Sequence, residues 1–306
     1  VNETPNFPLI SKEAWMPDRL IPMHEVDKRS AGFAVRQDEL PPVMPGVCGF
    51  NGLYSDWVKT NNPNTRLTPN SAFRMMGIKV LDGVPAFELS ACNYLDFFNS
   101  IEAAMFELSA DVAPKLDQAR KKESAKGRRV QTEDIVQQVS GDLNLPLRSS
   151  FGDITTDFEK RCATIGVNCL LLVKNSPSGH HEIFLHDRTP LPNAQDTAAE
   201  AQNVFHVVPA GTFQSDEPEE LNPRSIARTA MREYAEELVS EERVEQEVAS
   251  GRDFMELPEL KKLAASFEDG STTLWHMGFG LDPATTKPEL LCLMILDATA
   301  VGKTSY

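Results

Sequence analysis

The sequence predicts a mixed α/β protein in two parts, an α+β region over residues 1–150 and an α/β region over residues 151–306. Three observations lead there. Residues 227–238 are built almost wholly from Ala, Met, Arg, Glu and Leu, which favour helix. Ala227, Ala230, Met231, Tyr234 and Leu238 recur there at helical spacing, so one face is apolar. Strand-like runs flank this helix, at 167–173, 182–186 and 204–208 before it and at 272–281 and 290–296 after it, the pattern of helix packed on sheet. Asp82-Gly83 stands between two apolar runs, 73–81 and 86–95, a strong hairpin signal.

Bulk properties narrow the class. Of the 306 residues 41% are hydrophobic and 25% charged, the proportions of a globular chain long enough for one large or two ordinary domains. A net charge of -15 argues against a binder of nucleic acid as polymer, which needs a basic face. It leaves a small nucleotide open. The five cysteines (Cys48, Cys92, Cys162, Cys169, Cys292) are odd in number and form no C-x-x-C pair. Buried thiols in a reducing, cytoplasmic setting are the expectation, rather than a disulfide framework or a zinc site. No apolar run is long enough to span a membrane, and the first residues lack the features of a signal peptide.

Residues 1–45 carry seven prolines that preclude long helices. They read as an irregular arm packed over a domain, with a short strand near Phe33-Ala34-Val35. Residues 46–59, with Phe50, Leu53, Tyr54 and Trp57, read as a short apolar helix or a buried loop. After the hairpin, Leu95, Phe98, Ile101, Ala104, Met105 and Leu108 share one helical face. Residues 111–141 are charged and read as a solvated helical excursion or a lid. Lys121-Lys122 and Arg128-Arg129 there fit a solvated surface better than phosphate contacts. Residues 145–160 read as a connector, and 240–263 as further charged helix.

The chemistry concentrates on the polar face of the central helix. Glu233, Glu236 and Glu237 stand at i, i+3 and i+4, side by side on one surface. Three like charges so close destabilise a helix unless a cation shares them. Carboxylate oxygens suit the hard ions Mg2+ and Mn2+, and Arg232 can hold one carboxylate in place. A solvated acidic face, with Arg232 paired to Glu236, is the competing explanation.

Arg232-Glu233-Tyr234-Ala235-Glu236-Glu237 resembles the core of the Nudix box, G-x5-E-x7-R-E-U-x-E-E-x-G-U. The strand and Pro-Gly turn at Val204-Phe205-His206-Val207-Val208-Pro209-Ala210-Gly211 resemble the approach to that box. Several positions depart from it. Arg224 stands where the pattern has its first Glu, Gly211 lies further upstream than the leading Gly, and Val239 replaces the trailing Gly. Residues 214–222 look like an acidic insertion whose Glu217, Glu219 or Glu220 could substitute for the first Glu. The resemblance implies an α/β/α sandwich of mixed sheet over 151–306, with two sheets and the Glu-bearing helix between them. It also implies a dimer and a metal-dependent pyrophosphohydrolase acting on a nucleoside diphosphate linked to another group. In that reading Glu233, Glu236 and Glu237 hold Mg2+ or Mn2+, and Glu233 and Arg232 belong to the catalytic set. The rewritten loop half of the box favours an alternative, a catalytically silent Nudix-like module that senses a ligand or serves in assembly.

A further acidic residue beyond the box completes many such sites. Glu289, where a turn feeds a buried strand, is the candidate, with Glu256 and Glu259 as competitors. Gly211, Arg188 and His206 are the candidate substrate contacts. Arg188 also fits an ordinary surface pair with Asp187, and His206 a core position. No G-x-G-x-x-G, P-loop or G-x-S-x-G motif occurs, so dinucleotide oxidoreductase, P-loop kinase and serine hydrolase readings gain no support.

Overall fold

The computed structural model describes residues 9–33, 36, 38–41, 51–63, 65, 67–126, 139–175, 180–189, 204–214 and 225–298. The architecture is mixed α/β. Its ten strands among the described residues are β1 (Ile21–Pro22), β2 (Ser71–Leu81), β3 (Val84–Asn93), β4 (Gly166–Asn175), β5 (His180–Ile183), β6 (Leu185–Asp187), β7 (Phe205–Val207), β8 (Ala210–Thr212), β9 (Thr272–Leu281) and β10 (Pro288–Asp297). The helices that matter below are α1 (Met23–Ser30), α2 (Tyr54–Asn61), α3 (Tyr94–Phe97), α4 (Ala103–Ala125), α5 (Pro146–Ser150), α6 (Ile226–Ala235), α7 (Glu241–Ala249) and α8 (Pro258–Glu268).

One six-stranded sheet organises the molecule, in the order β1-β9-β10-β4-β5, with β8 also paired to β4. β10 runs parallel to β4 and antiparallel to β9. β8 and β5 share the far edge of β4, β8 at its beginning (Gly166↔Thr212) and β5 at its end (Leu172↔Ile183). Alternation sends Val167, Cys169, Leu171, Leu290, Cys292 and Met294 into one core, where Ile226, Ala230, Tyr234, Leu260 and Leu263 of α6 and α8 meet them. Val26 of α1 and Val244 of α7 join the same core. Leu170, Leu172, Leu291, Leu293 and Ile295, on the opposite face, are only partly buried. Among the described residues α1, α6, α7 and α8 therefore gather on one face of this sheet, and the other strand pairings are two-stranded, β2-β3 and β6-β7.

The centre of the core holds a row of registered residues on three adjacent strands: His276, Cys292 and Cys169. His276 is fully buried, and burial alone holds its pKa down to about 4. The described cysteines, Cys92, Cys162, Cys169 and Cys292, are free thiols; Cys48 lies outside the described residues.

Several local expectations meet their physical cause here. Asp82 and Gly83 both take positive φ (53 and 77), the tight turn that matches strand twist. Asn93 ends β3 and caps α3 reciprocally with Asp96, at 2.9 and 3.1 Å. The helix then continues through a π-helical turn at Phe98–Glu102 into α4, which reaches Ala125. Residues 127–138 lie outside the described residues. The 145–160 connector carries only short helical pieces, α5 and Phe158–Lys160.

Residues 9–33 of the N-terminal arm carry regular structure rather than an irregular cover. Its prolines allow an eight-residue α1, and Ile21–Pro22 adds an edge strand to β9. Trp15, Ile21, Met23 and Val26 enter the main core. The strand expected at Phe33-Ala34-Val35 lies outside the described residues, apart from Phe33. Among the described residues no helix is long and apolar enough to cross a membrane.

Candidate functional site

The Glu-bearing helix starts at Ile226, one residue before the expected stretch, and its α-helical part ends sooner than its composition suggests. Ser225 caps α6, its Oγ accepting from the Arg228 N–H at 3.0 Å. The Asp27 carboxylate of α1 accepts from the Ile226 N–H at 2.7 Å and the Ala227 N–H at 3.4 Å. Three of the donors that a helix leaves open at its start are thereby satisfied. At the other end the α-helical pattern stops at Ala235, and Glu236–Ser240 form a π-helical turn. Such a turn widens the backbone locally and is common at functional positions. Ser240 then caps α7 through the Arg243 N–H.

Glu233, Glu236 and Glu237 emerge at this junction, and each meets a different environment. Glu233 is buried, with its carboxyl directly over Gly211 of β8, in the space a side chain would need. Glu237 accepts from the Ala210 N–H at 3.0 Å through Oε2. Its Oε1 faces His186 Nδ1 at 3.4 Å and the Arg188 guanidinium at 3.7 Å. Glu236 accepts from Arg232 Nε at 2.8 Å, the i,i+4 pair that the sequence offered.

The electrostatics follow from the crowding. Burial pushes the Glu233 carboxyl well above the usual range, and neighbouring Glu236 and Glu237 add to the rise. Arg232 and Lys287 oppose it. Burial also raises Glu237, against the Ala210 N–H, His186 and Arg188. His206 pairs with His186 across β6 and β7, and its Nδ1 lies 2.8 Å from the Val207 carbonyl. Burial, followed by nearby Arg188, lowers its pKa. Arg188, His206 and Gly211 thus stand around the acidic group, with His186 and Lys287 added.

Glu289 does not join them. Its partner in register is Gly166, whose missing side chain leaves room for the Glu289 carboxyl. Asn168 Nδ2 donates to it at 2.5 Å, and Lys287 Nζ lies 3.9 Å away. Gly211 is in register with Val167, which faces the core, so Glu233 and Glu289 lie on opposite faces of the same sheet end. An all-apolar strand, Leu290 to Leu296, carries no alternation from which this parity could be read. Glu256 pairs with Lys261 and Glu259 with Arg243, both away from the trio. Arg224, Glu217, Glu219 and Glu220 lie outside the described residues.

Lys287 is the contributor that the sequence did not announce. The preceding turn places it. Asp282 Oδ1 accepts from the N–H groups of Ala284 and Thr285. Thr286 takes a positive φ of 62 and is fully buried, and Arg148 of α5 donates to the carbonyls of Pro283 and Ala284. A β-branched residue at positive φ is strained, and nothing in the local sequence marks it.

The donor chemistry of the trio suits a hard divalent ion, and the mutual repulsion at Glu233 is what such an ion would relieve. Among the described residues no group of three His, Cys, Asp or Glu side chains stands at ligating spacing. No family model matches the chain, and no curated protein sequence matches it.

Proposed function

We propose that this chain is a metal-dependent hydrolase of the Nudix type, cleaving a phosphoanhydride in a nucleoside diphosphate linked to another group. The observation that carries the reading is the R-E-x-x-E-E helix, whose buried Glu233 and part-buried Glu237 abut the β8 strand beside Arg188, His186 and Lys287. A buried acidic group beside the Arg188 and Lys287 cations suits a substrate that is itself a polyanion with a divalent counterion. Glu233, Glu236 and Glu237 would hold Mg2+ or Mn2+, which when bound would neutralise phosphoryl charge and acidify the attacking water. Arg232 fixes Glu236, and the Ala210 N–H fixes Glu237. Arg188 and His206 would meet substrate oxygens. In the same reading residues 151–306 form the Nudix-like sandwich, and residues 1–150 with the 214–222 insertion shape the choice of substrate.

The test is a phosphate-release screen over nucleoside diphosphate sugars, dinucleoside polyphosphates and nucleoside triphosphates, with Mg2+ or Mn2+ and with chelator. A chelator-sensitive activity lost in both Glu236→Gln and Glu237→Gln supports the hydrolase. Full turnover in either purified variant sinks it. The rewritten loop half of the box, with Arg224 for its first Glu and Val239 for its trailing Gly, favours one second reading, a catalytically silent Nudix-like ligand-sensing or interaction module. It predicts thermal stabilisation by one of the same compounds without product.

A further inference from the structure

A second concavity lies at the opposite end of α6. It is about 260 Å³ in volume and is bounded by α1, β3 and the first turn of α6. Its walls are the buried side chains Phe87, Leu89, Phe213 and Ile226. Lys28 and Ala31 are at the exposed rim. Ser30 also lines it, its Oγ already accepting from the Phe87 N–H at 3.1 Å. Ser225, the cap of α6, lines it as well and its side chain bonds to Asp27, whose carboxylate is the acidic group of the wall.

Asp27 is unusual in its setting. Burial raises its pKa to about 6, against the Ile226 and Ala227 N–H groups, the Ser225 side chain and nearby His24, all of which lower it. Near neutral pH it is mostly an anion beside an apolar wall, and no ion pair is formed to it among the described residues. This half-buried carboxylate is held by two amides and a hydroxyl but by no paired cation, and it can accept a further charge-assisted bond from a cationic donor. An apolar cavity with one such charge has a defined complement: a flat apolar body bearing one cationic donor.

We propose that this cavity binds a small aromatic or aliphatic amine, its ammonium on Asp27 and its apolar body against Phe87, Leu89, Phe213 and Ile226. The carboxylate that would hold the amine also holds the first two amides of α6. Occupancy of the cavity therefore bears on the helix whose far end carries Glu233. The proposal is independent of any hydrolytic activity.

The experiment is a calorimetric and thermal-shift comparison of three probes on the full chain: phenethylamine, 2-phenylethanol and phenylacetate. They share one apolar body and differ in charge. The amine binds and raises the melting temperature, and the alcohol and the acid bind at least about tenfold more weakly, as loss of a charge-assisted contact requires. Asp27→Asn, which keeps an oxygen for the helix cap, brings the amine down to the level of the alcohol. Ala31→Trp, which overhangs the mouth without touching Asp27, weakens the amine and the alcohol alike. Hydrogen exchange at the Ile226, Ala227 and Arg228 amides slows with the amine in the wild type. Equal binding of amine and alcohol by the wild type overturns the proposal. So does amine binding unchanged in Asp27→Asn, which would place the amine on the general negative charge of the surface.

Discussion

Glu233 and Glu289 occupy matching seats on opposite faces of one sheet end. Each carboxyl rests over a glycine, Gly211 on β8 and Gly166 on β4, and each fills the volume that a side chain there would take. Their company differs. Glu289 has an amide donor and a nearby ammonium, Asn168 and Lys287. Glu233 is buried beside two further carboxylates, and its pKa rises steeply. The same steric device thus serves two ends. On one face it locks a compensated charge into the frame. On the other it holds charges together that repel, an arrangement that costs stability and is typical of sites where a ligand supplies the missing charge.

The largest test of this contrast is Gly211→Ala. The added Cβ must displace the buried Glu233 carboxyl, and we expect a loss of about 2 kcal/mol in urea unfolding, within the range for overpacking. Gly166→Ala should cost less, about 1 kcal/mol, because Glu289 lies nearer solvent and can swing aside. A double-mutant cycle of Gly211→Ala with Glu233→Ala should show coupling of about 1 kcal/mol or more. Purely additive effects would mean that the glycine is not a seat for the glutamate.

The signs should also part. Glu289→Gln should destabilise by about 0.5–1 kcal/mol, the worth of a partly exposed charge-assisted bond. Glu233→Gln should stabilise the protein at neutral pH. The folded-state pKa of Glu233 is raised above its ordinary 4.5. Its contribution is therefore fully present below pH 4.5 and is lost as pH rises through the folded value. The advantage of Glu233→Gln over wild type should grow with pH across that window, while Glu237, also raised, leaves a residual slope. An advantage independent of pH would remove the electrostatic basis of the comparison.

The smallest effect concerns the turn that delivers Lys287. Thr286→Gly relieves the positive φ and removes a buried hydroxyl without a hydrogen-bond partner. A gain of up to about 1 kcal/mol is expected, reduced by the freedom that glycine adds to the unfolded chain. A loss would show that the threonine is held there by something other than strain.

How much of this was readable depended on the range of the interactions. The hairpin at Asp82-Gly83 and the strand 272–281 are written in neighbouring residues and formed where the pattern put them; the strand expected at 290–296 formed as Pro288–Asp297, and the acidic helix expected at 227–238 is α-helical over Ile226–Ala235. The i,i+4 pair of Arg232 with Glu236 formed as well. The cap that Asp27 gives α6, the pairing of Ile21–Pro22 with β9 and the approach of His186 to Glu237 join residues far apart in the chain, and no local spacing encodes them. The π-helical turn at Glu236–Ser240 interrupts a run whose composition is good helix throughout. Glu289 was found at the sheet end expected of it, yet on the other face, because a strand apolar on both sides hides its own parity.

The position of β10 has a consequence for the birth of the molecule. It lies between β4 and β9, and it is the last strand described along the chain. While the chain is being synthesised, the strand that joins its two neighbours emerges after both of them. Val167, Cys169 and Leu171 must wait for Leu290, Cys292 and Met294 before their side of the core can close. A nascent chain stopped before residue 288 would carry an open parallel edge on β4 and an unfilled core, the kind of surface that chaperones bind and that aggregates when they do not.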